Sequence, residues 1–157
     1  MRTITAAAFA GALLLGFAAK AENLSVTPPN GRVADLVKVP AGSETAYVAG
    51  QTADPLAGEP PRYGDTRAQT VSVLRKIQHL LEAQGFSLED VAMMRVALVA
   101  DPATGVMDFA GMNAGYAEFF GRTRHKPARM TTQVAALTEP GALVEIEVQA
   151  AKIPAGR

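Results

Sequence analysis

The sequence predicts a mixed α/β (α+β) fold of order β-β-α-β-α-β-β, with two helices on one face of a mixed sheet. Three stretches predict it. Val71, Leu74, Ile77 and Leu81 recur at helical spacing behind Asp65, a good N-cap. Val91–Ala100 is apolar at nearly every position, as in a strand buried on both faces. Leu143–Ala151 alternates, with Val144, Ile146 and Val148 on one face and Glu145, Glu147 and Gln149 on the other. A length of 157 residues, 48% of them hydrophobic and 19% charged, suits one domain with a real core.

The chain begins with an address. Arg2 is a short basic region, Thr3–Ala19 is an uncharged run, and Ala19-Lys20-Ala21 is a small-x-small pattern. This predicts a signal peptide over 1–21, cleaved after Ala21, and a periplasmic or secreted protein. An uncleaved anchor is the alternative, but the run is short for a membrane span. Residues 22–31 are polar and Pro-rich and read as a flexible lead-in to a single domain over 32–157.

Arg32–Val39 reads as a first strand and Ala46–Gln51 as a second, with Pro40–Ser43 as the hairpin loop between them. Breakers make Asp54–Gly64 a loop, and the first helix runs over 66–84, closed by Gly85. After the apolar strand, Asp101-Pro102 makes a turn. A second helix spans 106–120 up to Gly121, and Ala128–Leu137 is a strand before the last, alternating one. Two helices cover only one sheet face, so the doubly apolar strand asks for cover from another copy of the chain. This predicts a homo-oligomer with clefts between subunits.

Composition removes several function classes. Fifteen basic and 15 acidic residues give zero net charge, which argues against a phosphate-tracking nucleic-acid binder. Losing residues 1–21 leaves 13 basic and 15 acidic side chains. There is no Cys and there are only two His, His79 and His125, so neither thiolate chemistry nor a His-rich metal site is expected. No G-x-G-x-x-G, P-loop, H-E-x-x-H or G-x-S-x-G motif occurs. Any catalysis rests on Arg, carboxylate, amide, hydroxyl or backbone groups.

The informative cluster lies in the C-terminal third. Pro127-Ala128-Arg129 puts a cation at a strand start. Asn113, Tyr116 and Phe120 share a helix face, and Glu145 sits on the last strand. An Arg in a cleft can hold a carboxylate by both oxygens, and a nearby carboxylate can orient or deprotonate water. Taken singly, each has a plainer reading: Arg129 as an ion-pair arginine, Tyr116 and Phe120 as core, Glu145 as a solvated face, and 121–126 as a basic surface loop.

Together they resemble a known family. Tyr116-Ala117-Glu118-Phe119-Phe120, Pro127-Ala128-Arg129 and Val144-Glu145-Ile146-Glu147 are similar to the signature of the RidA (YjgF-type) enamine/imine deaminases. Val48-Ala49-Gly50-Gln51 and Asp108-Phe109 to Asn113 resemble its early strand and second helix, so the likeness spans about 30–151. The resemblance implies a chorismate-mutase-like fold, a homotrimer with sites between subunits, and hydrolysis of 2-imino or 2-enamino acids to 2-keto acids and ammonia without cofactor or metal. It makes Arg129 the substrate-carboxylate clamp and Glu145 the water-associated carboxylate. Asn113, Tyr116, Thr131 and Gly50 then belong to the substrate-binding set.

Three positions depart from the pattern. Ala49 replaces a common Ser, Thr131 a common Cys, and residues 32–38 contain no Tyr. These losses keep open a non-catalytic binding module for small carboxylates. An endoribonuclease, a label attached to the family, fits less well with the charge balance and 6% aromatics. The expected partners are a small carboxylate substrate and two further copies of the chain, with no nucleic acid and, after signal cleavage, no membrane.

Overall fold

Residues 23–57 and 62–154 are described by a computed structural model; the expected signal segment 1–21 lies outside the described residues. The elements are β1 (Leu24–Val26), β2 (Leu36–Lys38), β3 (Glu44–Thr52), α1 (Thr66–Ala83), β4 (Val91–Val99), α2 (Phe109–Phe120), β5 (Ala128–Val134) and β6 (Val144–Lys152). A four-stranded sheet has the order β3-β6-β4-β5, and β1 pairs with β2 in a separate ribbon. β4 and β5 run parallel, joined through α2, and the other pairs in the sheet are antiparallel. The predicted class, a mixed sheet with two helices, is the observed one.

α1 forms as its sequence dictates. The Asp65 carboxylate accepts a hydrogen bond from the Ala68 amide at 2.8 Å, satisfying one orphan donor of the first turn. Gly85, at φ +72°, ends the helix in the left-handed region open to glycine. The buried stripe is Val73, Leu74, Ile77 and Leu81, with Val71 only half-buried. It packs on Met94, Val96 and Leu98 of β4 and on Val144, Ile146 and Val148 of β6, one alternate set from each strand. α2 closes this layer with Met112, Tyr116 and Phe120; the Tyr116 and Phe120 rings stack at 4.7 Å.

Several boundaries differ from the sequence reading. The lead-in 22–31 contains β1, because Leu24 and Val26 pair with Lys38 and Leu36. The first predicted strand shrinks to β2. Pro40–Ser43 is a turn but not a hairpin loop, since β2 pairs with β1 and β3 with β6. α2 starts at 109, not 106. The Asp101 amide donates to the Val106 carbonyl to close a loop, and the Asp108 carboxylate caps the Gly111 amide. β5 stops at Val134, where its partner β4 ends at Val99. β4 itself is buried on one face only within the chain: Arg95 is exposed, and Met93, Ala97 and Val99 are half-buried.

The helices touch at Gly115. A Cβ there would lie 2.8 Å from the Thr70 Cβ and 2.9 Å from the Arg67 carbonyl oxygen. Gly115→Ala gains about 1 kcal/mol of helix propensity but forces α1 and α2 apart, at about 1–3 kcal/mol. The expected result is net destabilisation in urea unfolding; an unchanged or raised midpoint would contradict this packing.

Candidate active site

The pairing register decides which side chains can meet. In a sheet, residues opposite one another point to the same face. Met94 lies opposite both Arg129 and Val148, so Arg129 points to the helix-covered face. Ala97 lies opposite Glu145 and Thr132, so Glu145 points to the open face. One chain therefore does not bring Arg129 and Glu145 together.

On the helix side, Arg129 is half-buried against α2. Its guanidinium donates to Asn113 Oδ1 at 2.8 Å and approaches the Met112 sulfur at 3.7 Å. Its Cζ stands 4.5 Å from the centre of the Tyr116 ring and 5.9 Å from that of Phe109. Phe109, Asn113 and Tyr116 follow at intervals of four and three along one helix face. The Tyr116 hydroxyl donates to the Arg32 carbonyl at 3.0 Å, which ties the aromatic floor to the loop before β2. Tyr116 is thus both core and site.

Arg129 makes no salt bridge among the described residues. Burial lowers its pKa from the usual arginine value; the Tyr116 phenol opposes this and the nearby Arg32 charge adds to it. Burial likewise raises the Tyr116 pKa, against the opposing Arg129 charge. A guanidinium has five N–H donors, and the two contacts above leave several for an incoming anion. Thr131, two residues along β5 on the same face, has a buried hydroxyl with no hydrogen-bond partner.

On the open face, the Glu145 carboxylate lies over Gly50. A Cβ on Gly50 would stand 1.9 Å from Glu145 Oε1. The space exists because the β3–β6 register shifts between Val48 and Gln51, a bulge at Ala49-Gly50. Glu145, Gly50, Thr132 and Met130 line a depression of about 320 Å³, next to the Arg95–Glu147 ion pair. Tyr47 is 75% exposed and Met130 51% exposed on this face, so the single chain leaves apolar surface uncovered.

The structure thus gathers Arg129, Asn113, Tyr116 and Thr131 on one side, and Gly50 and Glu145 on the other. The sequence reading missed Arg32, Phe109 and Met112 as neighbours of Arg129. The helical spacing of Phe109 to Asn113 carried a signal for Phe109. Arg32 had none, since its placement depends on a tertiary contact with Tyr116. Among the described residues no His/Cys/Asp/Glu group could hold a metal ion.

The family model described as Endoribonuclease L-PSP matches residues 32–152. A RutC family protein of Pyrococcus horikoshii is 43% identical over 107 residues, covering 68% of this chain and 78% of the relative. The 3-aminoacrylate deaminase RutC of Acinetobacter baylyi is 37% identical over 120 residues, covering 76% of this chain and 87% of the relative. The fold is similar to a Yersinia pestis member of the conserved Rid protein family, with a TM-score of 0.67 and 27% identity, covering 83% of this chain and 98% of that one.

Gly50→Ala tests the geometry around Glu145. Because a Cβ meets only the end of a flexible side chain, the variant should fold with stability within about 0.5 kcal/mol of wild type. Its crystal structure should show the Glu145 carboxylate rotated away; a carboxylate left in place would contradict the contact.

Proposed function

We propose, for a chain that belongs to the RidA/YjgF (endoribonuclease L-PSP) family, that it hydrolyses 2-imino and 2-enamino acids to 2-keto acids and ammonia. The observation that carries this reading is the half-buried Arg129, held by Asn113 and Tyr116 and matched to no carboxylate among the described residues. Such a group is prepared for a substrate carboxylate. The 3-aminoacrylate deaminase activity for which the Acinetobacter relative is named supports the same reaction class.

In this reading the 2-imino acid docks its carboxylate on Arg129, and the Thr131 hydroxyl donates a further hydrogen bond. The imine carbon is electrophilic once its nitrogen is protonated, so positioning supplies much of the catalysis. Glu145 orients a water and accepts its proton as the oxygen bonds to that carbon. The carbinolamine then loses ammonia, with the proton returned to nitrogen. An enamine enters after taking up a proton at carbon. One water is consumed and one ammonia released, and no electrons change hands.

Arg129 and Glu145 lie on opposite faces, so the reaction needs Arg129 of one copy beside Glu145 of another. The uncovered face bearing Tyr47 and Met130 is a surface for that second copy. We assign a homotrimer with three such clefts. We also assign the chain to the periplasm or the cell exterior, on the strength of Arg2, the apolar run 3–19 and Ala19-Lys20-Ala21.

The first test generates imines in situ with an amino-acid oxidase and follows keto-acid release. Wild type should accelerate it, while Arg129→Ala should lose about 100-fold or more in kcat/KM. No acceleration by wild type would turn the reading to a binding module. A second test co-refolds Arg129→Ala and Glu145→Gln subunits. Clefts that draw one residue from each copy predict recovery to about a quarter of wild-type activity in an equal mixture. No recovery would overturn the shared cleft.

A further inference from the structure

The side chain that the mechanism leaves unused is Arg32. It lines two grooves along α2, of about 710 and 670 Å³, and Asn113 and Ala110 line both with it. Asn113 is the residue that Arg129 donates to. Arg32 is exposed, yet its backbone is fixed, because its carbonyl accepts the Tyr116 hydroxyl. Neither Arg32 nor Arg129 makes a salt bridge among the described residues.

Arg32 and Arg129 thus both lie beside Asn113 and Tyr116 of α2, and the groove of about 670 Å³ that Arg32 lines there holds no carboxylate among the described residues. Burial lowers the Arg129 pKa most, the Tyr116 phenol opposes this, and the Arg32 charge adds a smaller lowering. The other groove, of about 710 Å³, carries two carboxylates beside Arg32, each accepting from a backbone amide. Asp108 accepts from the Gly111 amide as the α2 cap, and Asp101 accepts from the Ala103 amide. Lys126, at the far groove, donates to the Phe120 and Thr123 carbonyls.

We propose that Arg32 is a specificity residue that receives the second carboxylate of a dicarboxylic substrate, while Arg129 holds the first. The preferred substrates are then imines of acidic amino acids over those of small neutral ones. The inference rests on the deaminase reading for turnover but not for binding. A second anionic group relieves the Arg32–Arg129 repulsion, which a monocarboxylate on Arg129 leaves half-answered.

The test separates the two readings. Binding of 2-oxoglutarate and of 2-oxobutyrate is measured by calorimetry on wild type, Arg32→Gln and Arg32→Lys, whether or not the protein turns over imines. Wild type should favour the dicarboxylate by about tenfold. Arg32→Gln should collapse that ratio towards one, and Arg32→Lys should restore part of it. Where turnover exists, the ratio of kcat/KM for imines of glutamate and 2-aminobutyrate should move in parallel. Failure of wild type to turn over either imine would sink the deaminase reading alone. Equal wild-type affinity for the two keto acids, or a preference that survives Arg32→Gln, would overturn the role of Arg32. Since the Tyr116 contact uses the Arg32 backbone, both variants keep the local fold, and circular dichroism and melting confirm it.

Discussion

The period-two alternation of the sheet is the constraint on which the site depends. Arg129 and Glu145 are held by strands that pair through β4, and the register gives them opposite faces. No rotamer can bring them together through a sheet one layer thick. The same alternation that buries Val144, Ile146 and Val148 under the helices turns Glu145 and Glu147 outward. A one-residue slip would exchange them and place two carboxylates in the core. Core burial thus fixes where Glu145 points, and assembly of copies becomes part of the proposed chemistry.

The Arg129 side is organised by α2. Burying a guanidinium is costly unless its charge and donors find partners. Here an amide oxygen, a sulfur and two aromatic faces stabilise the charge without neutralising it. A carboxylate in the place of Asn113 would pair with Arg129 and compete with an incoming anion. The neutral amide fixes the fork and leaves its charge available. Tyr116 serves both layers: its ring supports Arg129 and stacks on Phe120, while its hydroxyl anchors the Arg32 loop.

Much of this was legible in the sequence where local pattern and tertiary need coincide. α1 announced itself by its stripe and its Asp65 cap, and β6 by its alternation. Arg129, Asn113, Tyr116 and Glu145 were legible only as a joint pattern, since each alone has a commonplace structural role. What stayed hidden depends on pairing at a distance. Leu24–Val26 lies beside Pro-Pro-Asn-Gly and becomes a strand only because Leu36–Lys38 supplies its hydrogen bonds. The apolar run at Val91 overstated burial within one chain, because part of it belongs to a face the chain leaves open. The bulge at Ala49-Gly50 has no local signature beyond a glycine, yet it makes the space Glu145 occupies.

The departures at Ala49 and Thr131 then acquire different weights. Ala49 sits at an exposed bulge, where the Gln51 side-chain amide donates to the Ala49 and Gly50 carbonyls. Thr131 is different, for its hydroxyl is buried and without a partner among the described residues, two residues from Arg129. An unsatisfied buried hydroxyl costs about 1–3 kcal/mol, and a bound carboxylate beside Arg129 would answer it. In the proposed reading, ligand binding on the helix-covered face would gain from two sources, the charge of Arg129 and the buried hydroxyl of Thr131, both set by the same strand.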